Sequence, residues 1–175
     1  MKIALEQIKE LRNMTSASIA ACKKALEETK GDIAKAVEVL RKKGLEVAAK
    51  KQASGVKEGR IESYVHNGNK IGVLLEVACQ TDFVARNEDF CRFSKDVAMQ
   101  IAALNPTYIK EEEVPKKIID EAKDKELFYK EHCLLDQPFI KDHSISVKDY
   151  LGSLIAKMGE NIFIRRFIRF KVGEE

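Results

Sequence analysis

The sequence predicts an α+β fold in which three short helices precede a three-stranded antiparallel sheet packed with further helices. Apolar residues recur at helical spacing through the first 50 residues. Two alternating segments then flank an Asn-Gly-Asn turn at 67–69, and a third alternating segment lies near the end of the chain. The 175 residues, 45% of them hydrophobic, suffice for a core without disulfides or a structural metal.

The composition excludes several classes of protein. The 31 Lys and Arg against 28 Asp and Glu leave a net charge of +3, which does not demand a nucleic-acid partner. No apolar run approaches the roughly 18 residues of a membrane span, and Glu6 and Glu10 interrupt the segment where a secretion signal would stand. We therefore expect a cytoplasmic protein without a membrane span. The cysteines form no C-x-x-C pair, which favours free thiols at Cys22, Cys79, Cys91 and Cys133.

Three amphipathic segments form the N-terminal part of the chain. Hydroxyl side chains at 15–18 offer caps for the second helix, Gly31 ends that helix, and Asp32 caps the third. The third helix is expected to close at Gly44, after a run of cations. The apolar positions are Leu5, Ile8, Leu11, Ile19, Cys22, Ala25, Leu26, Ile33, Ala36, Val37 and Leu40.

A change in composition marks a domain boundary. Residues 45–52 continue as a basic helical segment, and Ala53-Ser54-Gly55 has the composition of a linker. We therefore predict a helical module at 1–54 and an α+β core domain at 55–175.

The predicted sheet begins with a hairpin. Residues 61–66 alternate, the turn at 67–69 follows, and residues 71–79 alternate again. Residues 161–172 form the third strand, with one buried face that Arg166 interrupts and one cationic, partly aromatic face. The expected buried face is Ile162, Ile164, Ile168, Phe170 and Val172, and the other is Phe163, Arg165, Phe167, Arg169 and Lys171.

Helical segments separate the hairpin from the third strand. A long helix spans about 87–104 and ends before Pro106. Residues 110–133 are helical and dense in charge, with only a narrow apolar face, so we expect an arm that projects from the body. Ser146 caps a last helix, which ends at Gly159.

The sequence lacks the residue sets of covalent catalysis. Cys133 and His132 are adjacent, so their side chains point apart and cannot form a nucleophile–base pair. Neither of the Gly-rich phosphate loops of nucleotide-binding enzymes is present. We therefore predict a protein that is not an enzyme and that needs no metal or cofactor.

The cationic face of the last strand allows an RNA-binding function as an alternative. Arginines meet phosphates and aromatic rings stack on bases, so Phe163, Arg165, Phe167 and Arg169 are candidate RNA contacts. The near-neutral total charge favours a different arrangement, in which these arginines reach carboxylates such as those at 111–113.

The segment QTDFVARN, residues 80–87, breaks the strand pattern and admits two interpretations. In the first, Thr81 or Asp82 caps a helix and Phe83 packs beneath it. In the second, a protruding loop presents an apolar side chain and an acid to a partner. Both remain open from the residues alone.

Four segments resemble the elongation factor Ts family. VACQTDFVARNEDF at 77–90 is similar to that family's signature, and ACKKALEETKGDIAKAVEVLRKKG at 21–44 to its ubiquitin-associated-like N-terminal module. QPFIKDHSISVKDYL at 137–151 and GENIFIRRFIRF at 159–170 follow in the family's order. The resemblance implies a guanine-nucleotide exchange factor of translation, with elongation factor Tu as its partner in GDP-bound and nucleotide-free forms.

The resemblance also implies which residues touch the partner. The family's loop that matches Asp82, Phe83, Val84 and Ala85 enters the partner near its bound magnesium and weakens the hold on GDP. The N-terminal module docks on the partner's nucleotide domain. Candidate contacts in that module are Arg12, Ile19 and Lys23.

Two features depart from the family's pattern. The family usually has Thr-Gly-Ala-Gly before two methionines, whereas here Thr15-Ser16-Ala17-Ser18 precedes Ile19-Ala20-Ala21, so we expect a differently set turn. Longer members also carry two core halves, and this chain has room for one. Short members imply a homodimer, for which the unpaired sheet edges give a physical reason. We expect no direct nucleic-acid partner.

Overall fold

The computed structural model describes residues 3–15, 17–51 and 56–174, with side chains of the second range described as far as residue 43. It confirms the α+β fold, and the predicted linker at 53–55 lies outside the described residues. The helices are α1 (Leu5–Thr15), α2 (Ile19–Glu28), α3 (Ile33–Lys51), α4 (Asp82–Ala85), α5 (Glu88–Leu104), α6 (Lys116–Glu121), α7 (Lys125–His132) and α8 (Val147–Met158). The strands are β1 (Glu58–Val65), β2 (Ile71–Cys79), β3 (Pro138–Phe139), β4 (Asp142–Ser146) and β5 (Phe163–Lys171).

Helices α1 to α3 pack around a small core of their own. Ser18 caps α2 by accepting from the Ala21 N–H at 3.2 Å, and Asp32 caps α3 by accepting from the Lys35 N–H at 3.0 Å. Gly31, with φ of 89°, turns the chain between these helices. The buried apolar members are Ile8, Leu11, Ala17, Cys22, Ala25, Leu26, Ala36 and Leu40.

The predicted end of the third helix at Gly44 is wrong. Helix α3 continues through Gly44 to Lys51. A glycine ends a helix by adopting the left-handed conformation. Inside a helix it destabilises by only about 1 kcal/mol relative to alanine, which the flanking turns tolerate.

The sheet has the predicted antiparallel topology, with β2 between β1 and β5. Its inner face carries Val73, Leu75 and Val77 of β2, and α5 packs across β1 and β2 on that side. Helix α8 packs in turn against α5. The largest buried contributions from these two helices are Phe90, Phe93, Val97, Ile101, Leu151, Leu154 and Ile155.

A bulge in β5 overturns the predicted faces of that strand. Glu76 pairs with Arg166 but Val77 pairs with Ile164, so Arg165 is an extra residue in β5. Because side chains alternate, one inserted residue exchanges the two faces of the strand beyond it. Ile162 and Ile164 are buried as expected, whereas Ile168, Phe170 and Val172 are exposed.

The outer face of the sheet is therefore apolar and open to solvent. Leu74 pairs with both Ser63 and Ile168, which places β1, β2 and β5 side chains together on this side. Phe170 is 64% exposed and is its largest side chain. We call the set Ile61, Val65, Leu74, Ile168, Phe170 and Val172 the outer apolar face.

The charge-dense segment 110–133 does not project as a single arm. It folds into a 3-10 helix and the short helices α6 and α7, around a small cluster that includes Ile119 and Cys133. Backbone hydrogen bonds tie its ends together: the Tyr108 N–H donates to the His132 carbonyl at 3.0 Å, and the Leu134 N–H donates to the Tyr108 carbonyl at 2.9 Å. The prediction of a projecting arm is wrong because the periodicity of apolar residues does not show that the two ends of a segment bond to each other.

The N-terminal helices contact the remainder of the chain through α8. Helix α3 packs against α8, and Arg41 Nε lies 3.1 Å from Asp149 Oδ1. Asp149 also accepts from the Ser146 N–H in the capping box of α8. The division at residues 54 and 55 stays a prediction. Among the described helices, none combines the length and the apolar character needed to cross a bilayer.

Gly59 is predicted to be required in β1 because no side chain fits there. An added Cβ would collide with the Val77 carbonyl oxygen and would lie 2.9 Å from Ala78 Cα, both backbone atoms of β2. We expect Gly59→Ala to destabilise the fold by about 1–3 kcal/mol. Gly72→Ala is the matched control, since nothing lies within 4 Å of its Cβ. Urea unfolding of both variants checks this, and equal stabilities would contradict it.

Candidate partner-binding site

The segment after β2 forms a single helical turn with one aromatic ring in solvent. Thr81 caps α4, its hydroxyl oxygen accepting from the Val84 N–H at 3.4 Å. Phe83 is 79% exposed, more than any other large apolar side chain among the described residues. Val84 is 4% exposed and Ala85 is 9% exposed, and both belong to the main core. The turn thus has a buried half and an exposed half.

Asp82 lies on the exposed half, beside Phe83. Its Oδ2 is 3.2 Å from an Arg86 guanidinium nitrogen, one helical turn further along. Both side chains are largely exposed, so this pair contributes little to folding. It keeps the carboxylate and the ring next to each other on a surface that a partner can reach.

The structure combines parts of the two sequence interpretations of this segment. The capping role of Thr81 is confirmed, but the packing of Phe83 beneath the helix is wrong. The side chains of Val84 and Ala85 lie in the core and anchor the turn. Asp82 and Phe83 are the members that face solvent.

Glu160 also holds this turn, and sequence reasoning missed it. Its carboxylate accepts from the Thr81 hydroxyl at 2.7 Å and from the Thr81 N–H at 3.1 Å. Glu160 lies 79 positions after Thr81, next to the glycine that ends α8. No local pattern connects these two segments, because the contact depends on how β2 and β5 pair.

The three candidates in the N-terminal module are all exposed. Ile19 is 58% exposed at the start of α2, Lys23 lies 3.9 Å from Glu27, and Arg12 lies at the end of α1. Arg12 and Ile19 line a groove of about 720 Å³ whose far wall includes Met158. Ser18 has φ of −62°, and the described residues of the preceding turn include none with positive φ.

The end of α8 lies between the two candidate surfaces. Met158 and Gly159 line the groove with Arg12 and Ile19, and the next residue, Glu160, binds Thr81. The structure thus brings both surfaces to one end of α8, although Arg12 and Ile19 precede Asp82 by more than 60 positions in the sequence.

Two of the cysteines, Cys79 and Cys133, are poor nucleophiles. Burial raises the pKa of the Cys79 and Cys133 thiols to about 11, so very little thiolate exists near neutral pH. The ring of His132 packs against Phe128 with centroids 4.4 Å apart and takes no part in activating Cys133. This arrangement agrees with the prediction drawn from their adjacency.

The arginines of β5 contact carboxylates of the chain itself, which weakens the argument for an RNA-binding face. Arg165 and Arg166 both contact the Glu76 carboxylate, at 3.0 and 2.7 Å. Arg169 contacts Glu174 at 2.9 Å and is 9% exposed. The expected carboxylates at 111–113 are not these partners, because the bulge turns the arginines toward β2 and the chain end.

Comparison with known proteins assigns a family. The family model described as Elongation factor TS matches residues 1–127 and 125–174. Elongation factor Ts of Carboxydothermus hydrogenoformans is 47% identical over 195 aligned positions, covering 98% of this chain and 90% of the relative. That of Thermodesulfovibrio yellowstonii is 47% identical, covering 99% and 98%, and that of Syntrophomonas wolfei is 48% identical, covering 98% and 91%.

The two matched segments meet at the start of α7. The alignments extend over 195 or more positions although this chain has 175 residues, so these relatives carry residues that the chain lacks. The match to the family model thus divides within the helical segment at 110–133.

Truncating a side chain in the exposed half of α4 is predicted to leave stability nearly unchanged, whereas truncating one in the buried half is predicted to lower it. Phe83→Ala removes an exposed ring, so we expect the free energy of unfolding to change by less than about 0.5 kcal/mol. Val84→Ala removes two buried methyl groups and is expected to destabilise by about 1–2 kcal/mol. Thermal and urea unfolding of the two variants measure the difference, and a large loss for Phe83→Ala would contradict the assignment.

Proposed function

The chain belongs to the elongation factor Ts family of translation elongation factors, and we propose that it releases GDP from elongation factor Tu. The observation that carries the proposal is Phe83, an aromatic ring held in solvent by a turn whose other half is buried. An apolar side chain in that state serves no purpose in folding. It is suited to entering a pocket of another protein.

We assign Phe83 the role of a wedge and Asp82 an electrostatic role beside it. A phenylalanine buried on binding contributes about 2 kcal/mol or more. Magnesium bridges the phosphate oxygens of a bound guanine nucleotide, so a partner deformed near that ion holds the nucleotide less tightly. Val84 and Ala85 contribute by anchoring the turn in the core.

The proposed exchange is a matter of differential binding. The chain can promote release only if it binds the nucleotide-free partner more tightly than the GDP-bound partner. By linkage, GDP and GTP must weaken the chain's own binding to the same extent. Covalent chemistry is not needed, in keeping with the raised pKa of the Cys79 and Cys133 thiols and with a site built from an aromatic ring and a carboxylate.

The N-terminal module supplies a second proposed contact with the partner. Arg12 and Ile19 lie along one groove, and Lys23 follows one turn further on α2. Their exposure leaves one apolar and two cationic side chains available. A second contact surface would hold the partner while the wedge acts, and we place this activity in the cytoplasm.

We further propose that two copies of the chain pair through the outer apolar face. Sequence reasoning located the pairing at the sheet edges, but the exposed apolar side chains of β1, β2 and β5 give a stronger physical reason. A second copy related by two-fold symmetry would cover this face with its own outer apolar face, so Phe170 and its neighbours would be buried in both copies.

The exchange proposal predicts faster GDP release from elongation factor Tu when the chain is added. Phe83→Ala should slow the stimulated release by about 30-fold, the equivalent of about 2 kcal/mol. Leu127→Ala is the matched control, because Leu127 is an exposed apolar residue on α7, away from α4. Fluorescence of a labelled GDP during stopped-flow mixing measures the rates.

Two outcomes of the release assay count against separate parts of the proposal. If the wild-type chain leaves the release rate unchanged, the exchange function is lost. If Phe83→Ala stimulates as well as the wild type, only the wedge is lost.

The pairing proposal predicts that a charge on the outer apolar face separates the copies. The wild type should sediment as a dimer, and Phe170→Glu should sediment as a monomer with an unchanged circular dichroism spectrum, because the side chain is 64% exposed in one copy. Leu127→Glu should remain a dimer. A wild type that is still monomeric at about 10⁻⁴ M, well above the Kd of a stable pair, would contradict the proposal.

A further inference from the structure

A pair of side-chain contacts extends the sheet beyond the point where its ladder stops. The last paired residues of β2 and β5 are Ala78 and Phe163. Beyond them, the Asn161 N–H donates to the Gln80 side-chain oxygen at 3.2 Å, and the Thr81 N–H donates to Glu160 at 3.1 Å. The segments before β5 and after β2 are thus joined by side chains in place of a backbone ladder.

The contact with Glu160 determines how Thr81 caps α4. The Thr81 hydroxyl donates its only hydrogen to Glu160 Oε1 at 2.7 Å, which leaves its oxygen free to accept from the Val84 N–H. A hydroxyl that donates to a carboxylate is also a better acceptor. The carboxylate therefore favours the one rotamer of Thr81 in which the cap forms.

Glu160 is itself held on both sides. Gly159 ends α8 in the left-handed conformation, with φ of 69°, and its N–H donates to the Ile155 carbonyl at 2.9 Å. Asn161 follows with no exposed surface. The carboxylate thus projects from a rigid corner of the core, whereas Phe83 belongs to a turn of only four residues.

We propose that Glu160 is a positioning residue for exchange, which orients Thr81 and thereby directs Phe83 toward the partner. The inference rests on the proposed function, because it concerns the same wedge. Glu160 itself acts through Thr81 and need not touch the partner. Without it, the Thr81 N–H and hydroxyl lose their acceptor, and the turn can adopt orientations in which Phe83 misses its pocket.

Epistasis with Phe83 is the test of this role. GDP release is measured for the wild type, Glu160→Ala, Phe83→Ala and the double variant. Glu160→Ala should slow stimulated release at least fivefold in the wild-type background and less than twofold in the Phe83→Ala background, since there is then no wedge to position. Equal losses in both backgrounds, or no loss in either, would overturn the proposal.

Further variants separate positioning from general damage. Thr81→Ser keeps both the N–H and the hydroxyl that donate to Glu160, so it should retain the wild-type release rate. Glu160→Gln keeps one acceptor oxygen but loses the charge, so its release rate should be intermediate. Glu126→Ala removes a comparable surface carboxylate, which pairs with Lys130 on α7, and should have no effect. Thermal unfolding shows whether each variant is folded under the assay conditions.

Hydrogen–deuterium exchange of the free chain gives a readout that does not depend on exchange activity. Glu160→Ala should accelerate amide exchange in residues 81–87 and leave α5 and α8 unchanged. Unaltered exchange in that segment would refute the positioning role even if the activity were reduced. A wild type that fails to stimulate GDP release would end the proposed function, while this measurement would still decide whether Glu160 orients the turn.

Discussion

Burial of Val84 and Ala85 in the core is the constraint on which the exposed site depends. Successive residues of a helical turn point in directions about 100° apart, so a turn of four residues that buries its last two must expose its first two. The core that receives them includes residues of β2, α5 and α8. Phe83 is therefore exposed because its neighbours are buried.

A site of this kind suits a protein that acts by deforming another. A side chain ordered before binding loses less conformational entropy on binding, so more of its contact energy is left to distort the partner. The turn is held from below by the core and from the side by Glu160, while Asp82 remains paired with Arg86 at the surface. The exposed ring is thus supported by a rigid body, although the turn that carries it is short.

The bulge in β5 decides the character of the rest of the surface. By adding Arg165, it turns Arg169 inward and brings two arginines onto Glu76, so the arginines of the strand contact carboxylates of the chain itself. The same shift moves Ile168 and Phe170 outward. A strand whose sequence predicts a cationic face thus contributes Ile168 and Phe170 to an exposed apolar face.

The sequence by itself determined the hairpin, the antiparallel third strand and most of the longer helices, because caps, turns and apolar periodicity are local. Asn67-Gly68-Asn69, Asp32, Ser146 and Gly159 each act within a few residues of their own position. The family resemblance predicts a partner-binding site at residues 82–85. Only the tertiary structure decided which of those four residues face solvent, since that depends on where the core lies. It also decided the faces of β5 and the contact of Glu160 with Thr81, because a strand's register and a contact between residues 79 positions apart are set by pairing between distant segments.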